Sequence, residues 1–278
     1  MEIIQVNELS KKAYQIRKLT LELLCEAKSG HTGGSLSEAD ILSVLYFSKM
    51  NIDPAKPDWE DRDRFILSKG HACPALYATL ALKGYFPLES LSTLRKLGSK
   101  LQGHPDMKRT LGIDISTGSL GQGLSAGLGM ALASRLLKKQ NRIYVLLGCG
   151  ELQEGQVWEA AMAAAHYKAA NLTAIIDYNR LQIDGSNSEV MELSPLADKW
   201  RSFGWKVIEI DGHNIEQIVN AFEEAKQTVD CPSVIIAKTV KGKGVSFIEN
   251  QVGWHGRVPT KEELAKALIE LDERMKTL

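Results

Sequence analysis

The second half of the chain alternates between apolar runs of strand length and segments in which apolar residues recur with the period of a helix. The strand-like runs are residues 143–147, 172–176, 207–210 and 234–237, and the helical segments are residues 156–167, 195–203 and 215–226. Apolar strands that alternate with helices are typical of a parallel sheet with helices on both faces, so the pattern predicts an α/β fold. Ligands of such sheets bind beyond the carboxyl ends of the strands, and the residues that follow each run are the first candidates for a site.

The first half is predicted to contribute mainly helices. Residues 8–27 carry apolar side chains at helical spacing and stop at Ser29 and Gly30, which predicts an amphipathic helix. The next expected elements are a loop at 31–35, a helix at 37–48, a short apolar run at 64–68 and a helix at 74–83. A charged surface helix is expected after Thr260. Because no repeat or linker is visible, residues 1–278 are expected to form one domain.

Composition narrows the range of partners. The 34 lysines and arginines balance the 34 aspartates and glutamates, so no net field favours nucleic acid or an anionic membrane. No run approaches the ~18 apolar residues of a membrane span, and the N-terminus lacks the features of a signal peptide. The four cysteines lie far apart and form no C-x-x-C pair, which suits a reducing compartment. A cytoplasmic protein without nucleic-acid or membrane partners is expected.

A glycine-rich turn, residues 148–155, follows the first regular strand and leads into a helix, where backbone N–H groups can meet an anion. A dinucleotide-binding turn of the form G-x-G-x-x-G would need glycine where Gln153 stands. The lysine-rich segment near Lys241 is not a P-loop either, because Ala237 occupies the place of its first glycine. Any phosphate site is therefore of another kind.

The chain resembles the transketolases, whose diphosphate motif is G-D-G followed, after a helix and the next strand, by an asparagine. Here 28 residues separate Gly150 from Asn179. Seven further short motifs stand in the family's order, and they are centred on His31, His71, His104, Gly118, His213, Lys241 and His255. The resemblance covers nearly the whole chain and implies the thiamine diphosphate-binding fold of the diphosphate-binding domain.

The resemblance also implies thiamine diphosphate and Mg²⁺ as cofactors, and it assigns a role to each matching position. The metal position would be formed by Cys149, Asn179 and Leu181. The cofactor would contact His71, Gly118, Leu120, Gly150, Asn179, Lys241 and His255. The catalytic side chains, which face the cofactor or the sugar hydroxyls, would be His31, His71, His104 and His255. Glu154 and Glu159 match acidic residues that the family places near the subunit interface.

These roles suit the chemistry of the residues. A divalent ion, a helix N-terminus and a lysine can together neutralise a diphosphate, and histidines can polarise a ketone and move protons near neutral pH. His166 and His213 are interpreted as packing or capping residues. Gly118 and the small residues after it also suit a turn followed by a closely packed helix. Lys241 alone would also suit a solvated loop.

Cys149 departs from the family, because it stands where the motif has aspartate. Mg²⁺ prefers oxygen ligands, and a thiol with its usual pKa of about 8.5 is neutral at pH 7. Four explanations stay open: an altered chain, a subunit that relies on its partner, a paralogue without catalysis, or a softer ion bound by the thiolate.

The activity that the resemblance implies is transfer of a two-carbon ketol unit from a ketose phosphate to an aldose. In the family, a glutamate on a separate pyrimidine-binding domain activates the cofactor, and full-length transketolases are more than twice as long as this chain. A partner subunit with that C-terminal domain is expected, in an α₂β₂ heterotetramer. The alternatives are a non-catalytic or regulatory subunit of the same fold and a nucleotide-dependent dehydrogenase, against which the incomplete G-x-G-x-x-G counts.

Overall fold

A computed structural model describes residues 3–278 and contains a five-stranded parallel sheet with the strand order β1-β2-β3-β5-β4. The strands are β1 (Arg64–Leu67), β2 (Ile143–Gly148), β3 (Leu172–Tyr178), β4 (Lys206–Asp211) and β5 (Ser233–Lys238). The four strands expected in the second half are confirmed, each one or two residues longer than expected. The short run at 64–68 supplies the edge strand β1, which pairs with β2.

Helices cover both faces of this sheet, as the sequence pattern predicts. They are α1 (Ile3–Ala27), α2 (Thr32–Ser37), α3 (Ala39–Val44), α4 (Cys73–Lys83), α5 (Gln122–Leu136), α6 (Gly155–His166), α7 (Asn187–Val190), α8 (Leu196–Ser202), α9 (Ile215–Gln227) and α10 (Lys261–Lys276). Alternate strand residues face two separate cores: Tyr144 and Leu146 pack with α1, α3, α4 and α9, whereas Val145 and Leu147 pack with α5, α6 and α8. The α/β fold class is confirmed.

The expected loop at 31–35 is wrong, whereas the helix expected at 37–48 is confirmed over residues 39–49. The chain is already helical from Thr32, and a first helix ends at Ser37; a second spans Ala39–Val44 and continues as a π-helical turn, Leu45–Lys49. Gly33 explains the difference, because a Cβ added there would lie 2.9 Å from Cγ of Lys241. The glycine permits close packing inside a helix, whereas in the sequence it resembles a loop signal.

A buried ionic network joins α1 and α3 to the carboxyl ends of β4 and β5. The Arg17 guanidinium donates to Asp40, and Nδ1 of His213 lies 2.7 Å from Asp40 Oδ2. Because the backbone N–H of Val240 donates to Nε2 of His213 at 2.8 Å, the ring proton is on Nδ1. Burial would raise the pKa of Asp40, but Arg17 and His213 lower it to about 2. His213 thus links α3 to the segment after β5 by hydrogen bonds, which agrees with its interpretation as a packing or capping residue.

All four cysteines are free thiols. Among residues 3–278, no helix is both long enough and apolar enough to cross a membrane.

Candidate active site

The loops beyond the carboxyl ends of β1, β2, β3 and β5 enclose a cavity of about 440 Å³. Every site residue expected from the sequence lines it: His31, His71, His104, Gly118, Leu120, Cys149, Gly150, Asn179, Leu181, Lys241 and His255. These residues come from segments that are far apart in the sequence, and the parallel sheet brings them to one edge. The structure brings the residues together, and their individual roles stay predictions.

Three histidines form a compact cluster in this cavity. The ring centroids of His31, His71 and His255 lie 5.0 to 5.4 Å apart. Burial, helped by the neighbouring cations Arg95, Lys69 and Lys241, lowers the pKa of His31 to about 4, of His71 to about 2 and of His255 to about 3. At neutral pH these rings are therefore uncharged and can both donate and accept hydrogen bonds.

His104 lies against the turn that precedes α5. Burial and the charge of Arg95 lower the pKa of His104. Gly118, at φ +139°, packs so closely on this ring that an added Cβ would lie 2.9 Å from His104 Cδ2. Glycine is needed at position 118 both for its backbone conformation and for contact with the ring.

Lys241 is a cation in direct contact with the histidine cluster. Its side chain is held by two acceptors: Nζ lies 2.9 Å from His255 Nδ1 and 3.3 Å from the carbonyl oxygen of Leu181. Since the lysine donates to Nδ1, the neutral His255 ring carries its proton on Nε2. Lys241 is only 2% exposed, so the alternative of a solvated loop lysine is wrong. Burial lowers its pKa to about 8.

The expected metal position lies where β2 and β3 end side by side. Asn179 Oδ1 accepts a hydrogen bond from the backbone N–H of Leu181 at 3.1 Å and one from the thiol of Cys149, with Sγ 3.8 Å away. Asn179 Nδ2 donates to Asp177 Oδ2 at 3.0 Å. The aspartate therefore fixes the amide so that its oxygen faces Cys149.

Two of these three donors fit Mg²⁺ and one does not. Asn179 Oδ1 and the Leu181 carbonyl are oxygen ligands of the kind that the ion prefers. Cys149 is 1% exposed, and burial together with Asp177 raises its thiol pKa, so the free thiol stays protonated. Across the described residues, no three His, Cys, Asp or Glu side chains gather as a metal site. The carboxylate that Mg²⁺ needs here is missing.

The sequence did not reveal an ion cluster at the wall of the cavity, where Lys69 is itself a lining residue. Lys69 Nζ contacts Asp177 Oδ2 at 2.6 Å, Glu38 Oε2 at 2.9 Å and the carbonyl oxygen of Gly34 at 3.0 Å. Burial raises the pKa of Glu38 to about 8, although Lys69 opposes this shift. At pH 7, Lys69 and Asp177 carry charge while Glu38 is neutral. The only sequence signal was that Lys69 belongs to the short motif Ser-Lys-Gly-His that ends at His71.

Glu151 is a second buried acid that the sequence did not single out. Its carboxylate accepts hydrogen bonds from the Ser68 hydroxyl, from the N–H of Gly121 at 2.9 Å and from the N–H of Gly148 at 3.0 Å. It thereby joins the turns beyond β1 and β2 to the start of α5.

Glu154 lines the rim of the cavity, and Glu159 is exposed on α6. Met162, one helical turn after Glu159, is 60% exposed, so this surface of α6 carries both charge and apolar area.

A family comparison assigns this parallel fold, with its cavity at the carboxyl edge, to the thiamine diphosphate-binding domains. Residues 9–272 match the family model "Transketolase, thiamine diphosphate binding domain". The chain therefore belongs to the transketolase family.

Similar proteins fall into two groups by length. The chain is 52% identical over 269 residues to the 6-deoxy-6-sulfo-D-fructose transketolase subunit SqwG of Clostridium sp. (strain MSTE9), covering 97% of this chain and 98% of the relative. It is 46% identical over 275 residues to an apulose-4-phosphate transketolase subunit from Phocaeicola vulgatus, covering 99% and 98%. The crystal structure of transketolase from Campylobacter jejuni superposes with a TM-score of 0.91 and 36% identity, covering 98% of this chain but 43% of that one. The chain thus spans nearly all of the first two relatives and about two fifths of the longer enzyme.

Proposed function

We propose that this chain is the diphosphate-binding subunit of a two-subunit transketolase, with thiamine diphosphate and a divalent ion as cofactors. The observation that carries the proposal is the cavity in which Lys241, the turn at Gly150 and the neutral histidines meet at the carboxyl edge of the sheet. The family membership and the names of relatives of equal length, which are themselves subunits, support it.

The chain offers several groups to a diphosphate. Lys241 supplies a buried positive charge, and the short 3₁₀ helix Gly150–Gln153 begins at the cavity with backbone N–H groups. Gly118 and Leu120 are proposed to approach the cofactor on the opposite wall, where glycine leaves room for it. The bound cofactor supplies the carbon nucleophile that ketol transfer requires.

The histidines act on the sugar. His31, His71 and His255 are neutral at pH 7, so each can donate one hydrogen bond and accept another from a carbonyl or hydroxyl group. His255 presents its Nε2 proton, since Nδ1 is occupied by Lys241. His104, beside Gly118, is proposed to bind a sugar hydroxyl at the mouth of the cavity.

Arg95 is proposed to face the anionic end of the sugar. Its guanidinium is near enough to lower the pKa of both His31 and His104. Nη1 donates to the hydroxyl of Ser29 at 2.9 Å, while Nε has no hydrogen-bond partner in the described part of the chain. The two relatives named above act, by their names, on a sulfonated sugar and a sugar phosphate, which supports an anionic ketose donor.

The family's Mg²⁺ position falls on Cys149, Asn179 and Leu181. With a neutral thiol in place of a carboxylate, Mg²⁺ would lose one anionic ligand, and we expect weak cofactor binding in Mg²⁺ alone.

The partner is proposed to be a pyrimidine-binding subunit in an α₂β₂ assembly in the cytoplasm. The surface of α6 with Glu159 and Met162, next to Glu154 at the cavity rim, is the proposed docking face. This face suits a partner because the exposed apolar side chain of Met162 lies on the same helix that begins at the cavity rim.

Reconstitution tests the proposed function. The chain and a candidate pyrimidine-binding subunit are assayed together and separately for ketol transfer between sugar phosphates, with each of several divalent ions. We expect turnover only when both subunits and thiamine diphosphate are present. Absence of turnover with the native chain, together with turnover by the Cys149→Asp variant, would instead favour the second candidate, a subunit that has lost catalysis through Cys149. Absence in both would overturn the transketolase assignment.

A further inference from the structure

Lys241 is held in the cavity by contacts of the backbone around it as well as by its side chain. The side chain packs so closely on α2 that a Cβ added at Gly33 would lie 2.9 Å from Lys241 Cγ. The backbone N–H of Val240, the residue before it, donates to Nε2 of His213 at 2.8 Å. The backbone N–H of Gly242, the residue after it, donates to the carbonyl oxygen of Gly33 at 3.0 Å. Lys241 therefore lies between two backbone hydrogen bonds, and one of them ends on a side chain.

The hydrogen bond at Val240 depends on the tautomer of His213. Nδ1 of His213 lies 2.7 Å from Oδ2 of Asp40, and an ionised carboxylate can only accept. The ring proton is therefore on Nδ1, which leaves Nε2 free to accept from Val240. With the proton on Nε2, two N–H donors would face each other. Asp40 thus determines that the far side of the ring is an acceptor.

Asp40 is itself fixed from the opposite side. The Arg17 guanidinium donates to both carboxylate oxygens of Asp40, and its Nε donates to the carbonyl oxygen of Leu36 at 3.2 Å. Arg17 is 2% exposed and Asp40 is 7% exposed, so water hardly competes for these contacts. Hydrogen bonds thus connect α1 and α3 to the residue before Lys241, and His213 is the last side chain in this series.

We propose that His213 is the positioning residue of Lys241: with its tautomer set by Asp40, it holds the backbone of Val240 so that the lysine ammonium group stays beside His255. Lys241 is the residue that contacts the cofactor, and His213 acts only through it. The effect on cofactor binding rests on the proposed function, whereas the effect on the backbone of residues 240–242 does not.

Two variants separate the two hydrogen bonds of the His213 ring. His213→Asn places an amide nitrogen near the position of Nδ1, so it keeps a donor for Asp40 and loses the acceptor for Val240. His213→Gln places an amide oxygen near the position of Nε2, so it keeps the acceptor for Val240 and loses the donor for Asp40. Each variant removes one hydrogen bond, and we expect similar decreases in melting temperature. The two variants should differ in their effect on Lys241.

Amide hydrogen exchange, measured residue by residue by NMR on the chain alone, reports on the backbone around Lys241. The informative amide is that of Gly242, because its acceptor on Gly33 is unchanged in both variants. In His213→Asn it should exchange about tenfold faster than in the native chain, since the lost hydrogen bond makes local opening more frequent. In His213→Gln it should exchange at nearly the native rate. The control for overall stability is Ile236, in β5 and 2% exposed, which should exchange equally fast in both variants.

Calorimetric titration of thiamine diphosphate into the two-subunit complex measures the consequence for the site. His213→Asn should weaken binding about tenfold, because Lys241 is no longer held in place. His213→Gln should restore the affinity to within about threefold of the native complex, since the acceptor for Val240 is kept.

Several results would overturn the role of His213. Exchange of Gly242 at the native rate in His213→Asn, or equal acceleration in both variants, would show that His213 only stabilises the fold. Native affinity of His213→Asn for thiamine diphosphate, or equally weak binding by His213→Gln, would show that the hydrogen bond to Val240 does not position Lys241. Exchange as expected, in a complex that binds no thiamine diphosphate even with the native chain, would confirm the effect on the backbone and overturn the proposed function.

Discussion

At the scale of single residues, burial decides which groups in the cavity carry charge. His31, His71 and His255 are neutral at pH 7 because burial lowers their pKa values. Lys241, whose pKa is about 8, is mostly protonated at the same pH. In the proposed function, the neutral histidine cluster forms hydrogen bonds to the sugar and the buried lysine neutralises the diphosphate. The two tasks can then be tested on different side chains.

The contribution of Lys241 is tested against another lysine near the end of β5. Lys241→Met should weaken thiamine diphosphate binding about 10- to 100-fold, since it removes a charged hydrogen-bond donor in the cavity. The control is Lys238→Met, at a side chain that is 62% exposed and lies outside the cavity, and it should leave affinity unchanged. Calorimetry on the two-subunit complex measures both. Equal affinities for the two variants would contradict the role of Lys241.

Glu38 gives a pH dependence of stability with a definite sign. Its pKa rises from 4.5 when the chain is unfolded to about 8 when it is folded, so between these values the folded chain binds more protons. The contribution of Glu38 to stability is therefore fully present below pH 4.5 and is lost as pH rises through 8. A glutamine at position 38 is neutral at every pH. The unfolding free energy of Glu38→Gln minus that of the native chain should therefore increase from about pH 5 to about pH 9.

Urea denaturation at several pH values measures that difference. Glu22→Gln, on an exposed part of α1, should give no such trend. A constant difference between Glu38→Gln and the native chain across the range would show that Glu38 is ionised in the folded state.

At the scale of elements, the sequence predicted strands better than the glycine-containing helix α2. The runs at β2 and β3 consist of apolar residues that are buried on both sides, so their composition alone identifies them. Gly33 and Gly34 resemble a loop in the sequence, yet they are helical, and Lys241 packs against Gly33. That packing depends on a residue more than 200 positions away, which no local pattern reveals.

The turn before α5 can be tested with a matched pair of glycines. Gly118→Ala should destabilise the chain by about 1–3 kcal/mol, because the new methyl group meets the His104 ring at a strained backbone angle. Gly129→Ala, in the middle of α5 with no atom within 4 Å of the added Cβ, should stabilise it by about 0.5–1 kcal/mol. Chemical denaturation of the isolated chain measures both, and equal effects would contradict the packing at Gly118.

At the scale of the whole molecule, the order of the short motifs predicted which residues share a cavity. The order of the motifs did not predict the buried ionic contacts beside these residues. Lys69, Glu38 and Asp177 meet at the cavity although they lie up to 139 positions apart, and no local pattern in the sequence shows that they contact one another. Ion pairs between distant segments become visible only when the sheet has brought those segments together.

The proposed docking face predicts how the subunits associate. Met162→Glu should weaken association with the partner about tenfold or more, because it would bury an unpaired carboxylate in the interface. Ile269→Glu is the control, at a residue of α10 that is 59% exposed against 60% for Met162. Sedimentation velocity on mixtures of the two chains measures association. Native-like assembly of the Met162→Glu variant would place the interface elsewhere.

The central claim is that this cavity is the diphosphate half of a thiamine diphosphate site with an impaired Mg²⁺ ligand at Cys149. Calorimetric titration of thiamine diphosphate in Mg²⁺ into the chain mixed with its partner, for the native sequence and for Cys149→Asp, tests it most directly. The account predicts binding that is about tenfold or more tighter in the variant, since a carboxylate restores the missing ligand. Failure of the Cys149→Asp variant to bind thiamine diphosphate with the partner present would contradict it.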